Sequence, residues 1–80
     1  MRLDKYLKIS RLVKRRTVAN EACDAGKVLV NDKPARASYE VKVGDIIEVR
    51  IGAKPLKARV LCIAEFANKE NASGLYELIS

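Results

Sequence analysis

Eighty residues, 49% of them hydrophobic, suffice for one domain with a small core and leave no room for a second. The formal net charge is +6, with 16 Lys or Arg against 10 Asp or Glu and no histidine; with two cysteines lacking ligand spacing, this predicts neither a metal site nor a cofactor. No apolar run reaches the length of a membrane span or a signal-peptide core, so a cytoplasmic protein with no membrane partner is expected.

In chain order, Arg2–Ile9 reads as a first helix, with Leu3 and Leu7 one turn apart, Tyr6 beside them, and Asp4 suited to the helix dipole. Arg11 falls in the turn that follows, and Leu12 and Val13 return apolar side chains to the core as a hinge. Lys14, Arg15 and Arg16 open a second helix. Its Val18, Ala19, Ala22 and Cys23 recur at the spacing of one buried face. Gly26 is placed to stop it in a left-handed conformation. Lys27–Val30 and Lys33–Ala35 read as a hairpin around Asn31-Asp32, with Pro34 marking a short or edge strand. Residues 36–43 form an irregular connection, and Val43-Gly44-Asp45 a turn. A strand over 46–51 alternates Ile47, Val49 and Ile51 with Glu48 and Arg50. Gly52–Pro55 breaks it. A further strand over 56–63 sets Leu56, Ala58, Val60 and Cys62 on one face. Residues 64–74 read as a polar loop, with a helical turn near Glu65–Asn68, and 75–79 as a closing strand. Cys23 and Cys62 are expected as free, buried thiols.

The charge is unevenly distributed. Residues 1–36 hold ten Lys or Arg against four Asp or Glu, whereas residues 37–80 hold six of each. Seven of those cations, with a single acid, lie in the first sixteen residues. Three cations at a helix start oppose the helix dipole by roughly 0.3–1 kcal/mol each, and neither Lys14 nor Arg15 offers an acceptor to cap it. A solvated charge run accounts for one such triplet taken alone. The same excess spread over two helices and a hairpin points to a polyanion, with phosphate as the group bound. The chain has only four aromatic residues, Tyr6, Tyr39, Phe66 and Tyr76, and none forms a stacking motif on a basic strand, which disfavours recognition of single strands by base stacking.

The ordered segments RLDKYL, SRLVKRRT, AGKVLVNDKPAR and VKVGDIIEVRI resemble the S4-type RNA-binding domain over residues 1–51. The opening, the length and a last short strand are similar to the small bacterial ribosome quality-control branch of that family, the RqcP-type factors. Two departures from the family pattern stand out: Asp32, where glycine is usual, and Arg15, in place of a small polar cap. The resemblance implies an α+β fold, with two N-terminal helices packed on a small, mostly antiparallel sheet. Residues 1–80 would form a single domain, the core motif in 1–51 and the C-terminal strands in 52–80. It implies an RNA-binding surface of Arg2, Lys8, Arg11, Lys14, Arg15, Arg16, Lys27, Asn31, Lys33 and Arg36, with Arg2 and Arg16 foremost because they match the family's basic positions at the two helix starts.

The function implied is non-catalytic. A monomer would bind ribosomal RNA of the large subunit, together with peptidyl-tRNA, on stalled particles where an RqcH-type factor adds alanines without a template. One alternative is the heat-shock type of large-subunit rescue factor, a branch that carries a longer basic C-terminal extension. Another is the RNA-binding module of a pseudouridine synthase. That reading needs a separate catalytic fold with an active Asp, and Asp4, Asp24, Asp32 and Asp45 each have local explanations at helix ends or turns. A helix-turn-helix DNA binder meets a hairpin where another helix should follow.

Overall fold

The computed structural model describes residues 1–63 and 72–79. Helix α1 spans Leu3–Ile9 and α2 spans Arg16–Asp24; strands β1 (Val28–Val30), β2 (Lys33–Pro34), β3 (Ile46–Val49), β4 (Leu56–Val60) and β5 (Tyr76–Ile79) follow, with a short 3-10 turn at Ala72–Leu75. All strand pairings are antiparallel, in the order β2-β1-β3-β4-β5. The two helices pack on this sheet, as expected of an α+β chain. The helical turn read near Glu65–Asn68 lies outside the described residues.

The core draws on every layer. Leu3, Tyr6 and Leu7 of α1 meet Ala19, Ala22 and Cys23 of α2, Val28 and Val30 of β1, Ile47 and Val49 of β3, and Val60 of β4. The Tyr6 hydroxyl donates to the Leu75 carbonyl at 2.6 Å, so α1 also holds the entry to the last strand.

Local chemistry sets the connections. Gly26 adopts φ 77°, its N–H reaches the Cys23 carbonyl and the Lys27 N–H reaches that of Ala22, the paired closure of a left-handed helix stop. Asn31 and Asp32 both take positive φ, 52° and 69°, as a two-residue hairpin turn of the type I′ kind requires. Pro34 lies on the edge strand β2, where its missing N–H costs no ladder bond.

Four apolar positions depart from expectation. Val18, expected on the buried face of α2, is 40% exposed, and Ile51 and Leu56 are exposed as well. Strand β3 ends at Val49, and Gly52 at φ 92° carries the chain off the sheet, so among the described residues no element covers these three side chains from outside. Cys62 is also exposed, because β4 ends at Val60 and the alternation does not reach it. Glu48, which alternates with the apolar residues of its strand, is nonetheless buried beneath Arg50 and Lys57, which pair with its carboxylate.

Candidate nucleic-acid interface

The site begins with one buried carboxylate. Asp4, in the first turn of α1, is 2% exposed. Its Oδ1 accepts the Lys5 N–H at 2.8 Å and Arg2 Nε at 3.2 Å, and its Oδ2 accepts Asn20 Nδ2 at 3.1 Å and faces Arg16 Nε at 3.4 Å. Arg2 is the residue preceding α1 and Arg16 is the first residue of α2, so one carboxylate ties the two helix starts together. Arg16 and Asn20 stand four apart and share a face of α2. Burial alone would push the Asp4 carboxyl up. Hydrogen bonds from Asn20, Arg16 and the Lys5 N–H outweigh it and hold the carboxyl below its ordinary value.

Each helix start is arranged differently. The first N–H groups of α1 are satisfied from the connection after the hairpin: Leu3 donates to the Tyr39 carbonyl at 2.8 Å and Asp4 to that of Ala37 at 3.2 Å. Helix α2 has Arg15 in the capping position, and that side chain supplies no capping bond. Of the three cations at this end, Arg16 is met by the Asp4 carboxylate, whereas Lys14 and Arg15 form no ion pair among the described residues.

The arginines and lysines sort into groups. Arg2 and Arg16 meet at Asp4 and line an open cleft of about 420 Å³ with Thr17, Asn20 and Glu21. Lys33 and Arg36 line a second cleft, of about 600 Å³, beside the hairpin, together with Asn31. Lys14 and Arg15 rim the apolar groove that contains Val18, Ile51 and Leu56. Lys27 lines a separate depression with Glu21, and Lys8 and Arg11 stand exposed at the end of α1. Among the described residues, Lys8, Arg11, Lys14, Arg15, Lys27, Lys33 and Arg36 form no ion pair. Asn31 differs from these. Its side-chain oxygen accepts the Ile46 N–H at 3.0 Å and its amide donates to Asp45 at 3.2 Å. Tyr39 also donates to Asp45, at 2.9 Å, so this network fastens the hairpin tip to the following turn.

Asp4 and Asn20, and with them the cleft residues Thr17 and Glu21, are not among the residues that sequence reasoning assigns to the site. One signal was present: Asp4 is the lone acid among the first sixteen residues. Among the described residues no cluster of three or more His, Cys, Asp or Glu could hold a metal ion, and no helix is long and apolar enough to cross a membrane.

Comparison with known proteins places the chain in a family. The S4 domain family model matches residues 1–47. The RQC P-site tRNA stabilizing factor of Streptococcus pneumoniae is 51% identical over 80 residues, covering 100% of this chain and 91% of that one. Its counterpart in Halalkalibacterium halodurans is 47% identical over 78 residues, covering 98% and 89%. Among solved structures, the trimeric heat shock protein 15 of Vibrio cholerae superposes with a TM-score of 0.92 at 30% identity, covering 100% of this chain and 82% of that one. In motif order, fold and full-length similarity alike, the chain belongs to the S4 domain family.

Proposed function

We propose that this chain is an RNA-binding factor of ribosome-associated quality control, acting on large subunits that still carry P-site peptidyl-tRNA. The observation that carries the reading is the full-length similarity to relatives named RQC P-site tRNA stabilizing factor. The geometry supports it: seven cations of residues 1–36 that form no ion pair among the described residues, and two arginines fixed at adjoining helix starts, suit a structured RNA that presents phosphates and 2′-hydroxyls. The chain would contact ribosomal RNA of the large subunit and the tRNA, as a monomer. An RqcH-type partner on the same particle would perform the alanine tailing. No covalent step falls to this protein; its work is positioning by charge and shape.

Contact residues in this reading are Arg2 and Arg16 first, then Lys8, Arg11, Lys14 and Arg15, with Lys27, Lys33 and Arg36 extending the surface along the hairpin. Asn31 would act by holding the hairpin tip. Arginine can fork onto phosphate oxygens, whereas lysine acts as a mobile point charge.

The test is co-sedimentation with large subunits bearing peptidyl-tRNA, alongside thermal melts. Arg16→Ala should weaken binding roughly tenfold or more, since a charge-assisted contact contributes about 1.5–3 kcal/mol. Its melting loss should stay moderate, because the buried Asp4 carboxylate that loses Arg16 keeps Arg2, Asn20 and the Lys5 N–H as partners. Arg59→Ala, whose side chain pairs with Glu77 on the sheet, should bind as the parent does. The reverse pattern would move the interface to the other half of the chain. A second reading, subunit rescue of the heat-shock type, is favoured by the structural likeness to heat shock protein 15. It requires equal affinity for subunits with and without peptidyl-tRNA.

A further inference from the structure

Two guanidinium groups at the rim of one cleft should repel each other and wander. Long side chains with about half their surface exposed ordinarily sample many rotamers, and fixing each on binding costs about 0.5–1.5 kcal/mol. Here both are held from the same side. Arg2 Nε lies 3.2 Å from Asp4 Oδ1 and Arg16 Nε lies 3.4 Å from Oδ2, while the two arginine side chains remain 50% and 49% exposed. Asp4 is not a surface acid drawn to them by chance. It is buried, and its orientation is fixed independently by the Lys5 N–H and the Asn20 amide. Because the contact is made through Nε, most of the remaining N–H donors on each guanidinium stay available. Arg2 commits one more, from Nη2, at a long 3.5 Å.

We infer that Asp4 is a positioning residue: it turns Arg2 and Arg16 into a preorganised pair that receives a phosphodiester of the bound RNA in the cleft between the helix starts. The inference rests on the RNA-binding reading above and adds to it a residue that touches no RNA. The chemistry of the cleft matches the ligand. Two forked donors can meet two non-bridging phosphate oxygens, with Thr17 and Asn20 nearby, and Glu21 on one wall disfavours a second anion.

Simple electrostatics and preorganisation predict opposite signs for one substitution. Asp4→Asn removes a negative charge from a basic surface and keeps the shape, so on charge alone it should tighten RNA binding. Preorganisation requires the opposite: affinity for large subunits carrying P-site tRNA falls roughly five- to hundredfold, the cost of ordering two long side chains on binding. Arg16→Lys, which keeps the charge and cannot hold the carboxylate while forking onto phosphate, should lose affinity in the parent and much less in the Asp4→Asn background. In the free protein, exchange of the Arg2 and Arg16 Nε–H protons with solvent should be slow, and fast in Asp4→Asn.

A folded Asp4→Asn that binds as tightly as the parent, or tighter, overturns the inference. If Asp4→Asn does not fold, Arg2→Lys and Arg16→Lys decide, and parent-like affinity in both overturns it equally. Failure of the parent chain to bind subunits at all would overturn the functional reading and this inference with it, whereas parent binding with an unweakened Asp4→Asn overturns this inference alone.

Discussion

At the scale of single residues, two acids and two thiols carry the most information. Asp4 looked in the sequence like an ordinary first-turn acid. Its burial and its partners on α2 depend on a contact sixteen residues away, which local pattern does not encode. The Asp4 and Glu48 carboxyls are both held below their ordinary values of 3.8 and 4.5. For Asp4 the hydrogen bonds outweigh burial, and for Glu48 the leading cause is the hydrogen bond from Arg50. The unfolded chain therefore takes up protons first, so the stability they contribute is full at neutral pH and is lost as pH falls below those ordinary values and through the folded ones. Thermal melts over a descending pH series should show this loss, and Asp4→Asn should flatten part of it. The thiols differ for a simpler reason. Burial first, then the nearby Asp4 and Asp24 carboxylates, push Cys23 up to about 11, while Cys62 is exposed. A thiol reagent at neutral pH should consume one equivalent quickly, removed by Cys62→Ser, and a second only on unfolding. Rapid modification of Cys23 in the native chain would contradict its burial.

Among the elements, the sequence announced the starts and stops of the first half well and the strand ends of the second half poorly. Gly26, Asn31-Asp32 and Pro34 act through backbone preferences that belong to the residue itself, so they are legible without tertiary context. Whether Val18, Ile51 and Leu56 are covered depends on where β3 stops and β4 starts, which apolar alternation alone does not fix. Two left-handed positions carry residues that enter that region less readily than glycine. Arg11, at φ 65°, closes α1 where helices commonly use glycine, and Asp32, at φ 69°, is the second residue of the hairpin turn, where two-residue turns favour glycine. Such strain costs an L-residue roughly 1–2 kcal/mol, offset in part by the greater freedom glycine loses on folding. Arg11→Gly and Asp32→Gly should each therefore raise the melting temperature slightly, by up to about 1 kcal/mol of stability. They should part in function. Arg11→Gly removes a cation and should weaken subunit binding, whereas Asp32→Gly removes an acid and should not. Equal binding by the two variants would mean that Arg11 is kept for something other than RNA.

Over the whole molecule, charge is segregated along the sheet order. Among the described residues, residues 1–36 carry seven cations without ion pairs, while toward the other end of the sheet Arg50 and Lys57 share the Glu48 carboxylate and Arg59 pairs with Glu77; Lys42 and Lys54, outside the strands, form no ion pair. The Arg59–Glu77 pair lies directly across β4 and β5, at 3.3 Å and about half exposed on both sides, so it adds little to stability. Its consequence is electrostatic: it cancels a charge that would otherwise blur the direction of the field. The imbalance between halves was visible in the composition, but the pairing of Arg50, Lys57 and Arg59 was not, since it depends on strand register. The register makes the salt dependence of binding divisible. Each cation that displaces counterions from a phosphate contributes roughly 0.7–0.9 to the slope of log affinity against log salt, by analogy with DNA. Replacing Lys14 and Arg15 together by alanine should lower that slope by about 1.4–1.8, and replacing Arg50 and Arg59 together should leave it unchanged. The measurement is subunit binding across a salt series, at matched folded fraction. A slope that falls equally for both pairs would mean that binding follows total charge, and the division of this chain into a gripping half and a neutral half would carry no functional weight.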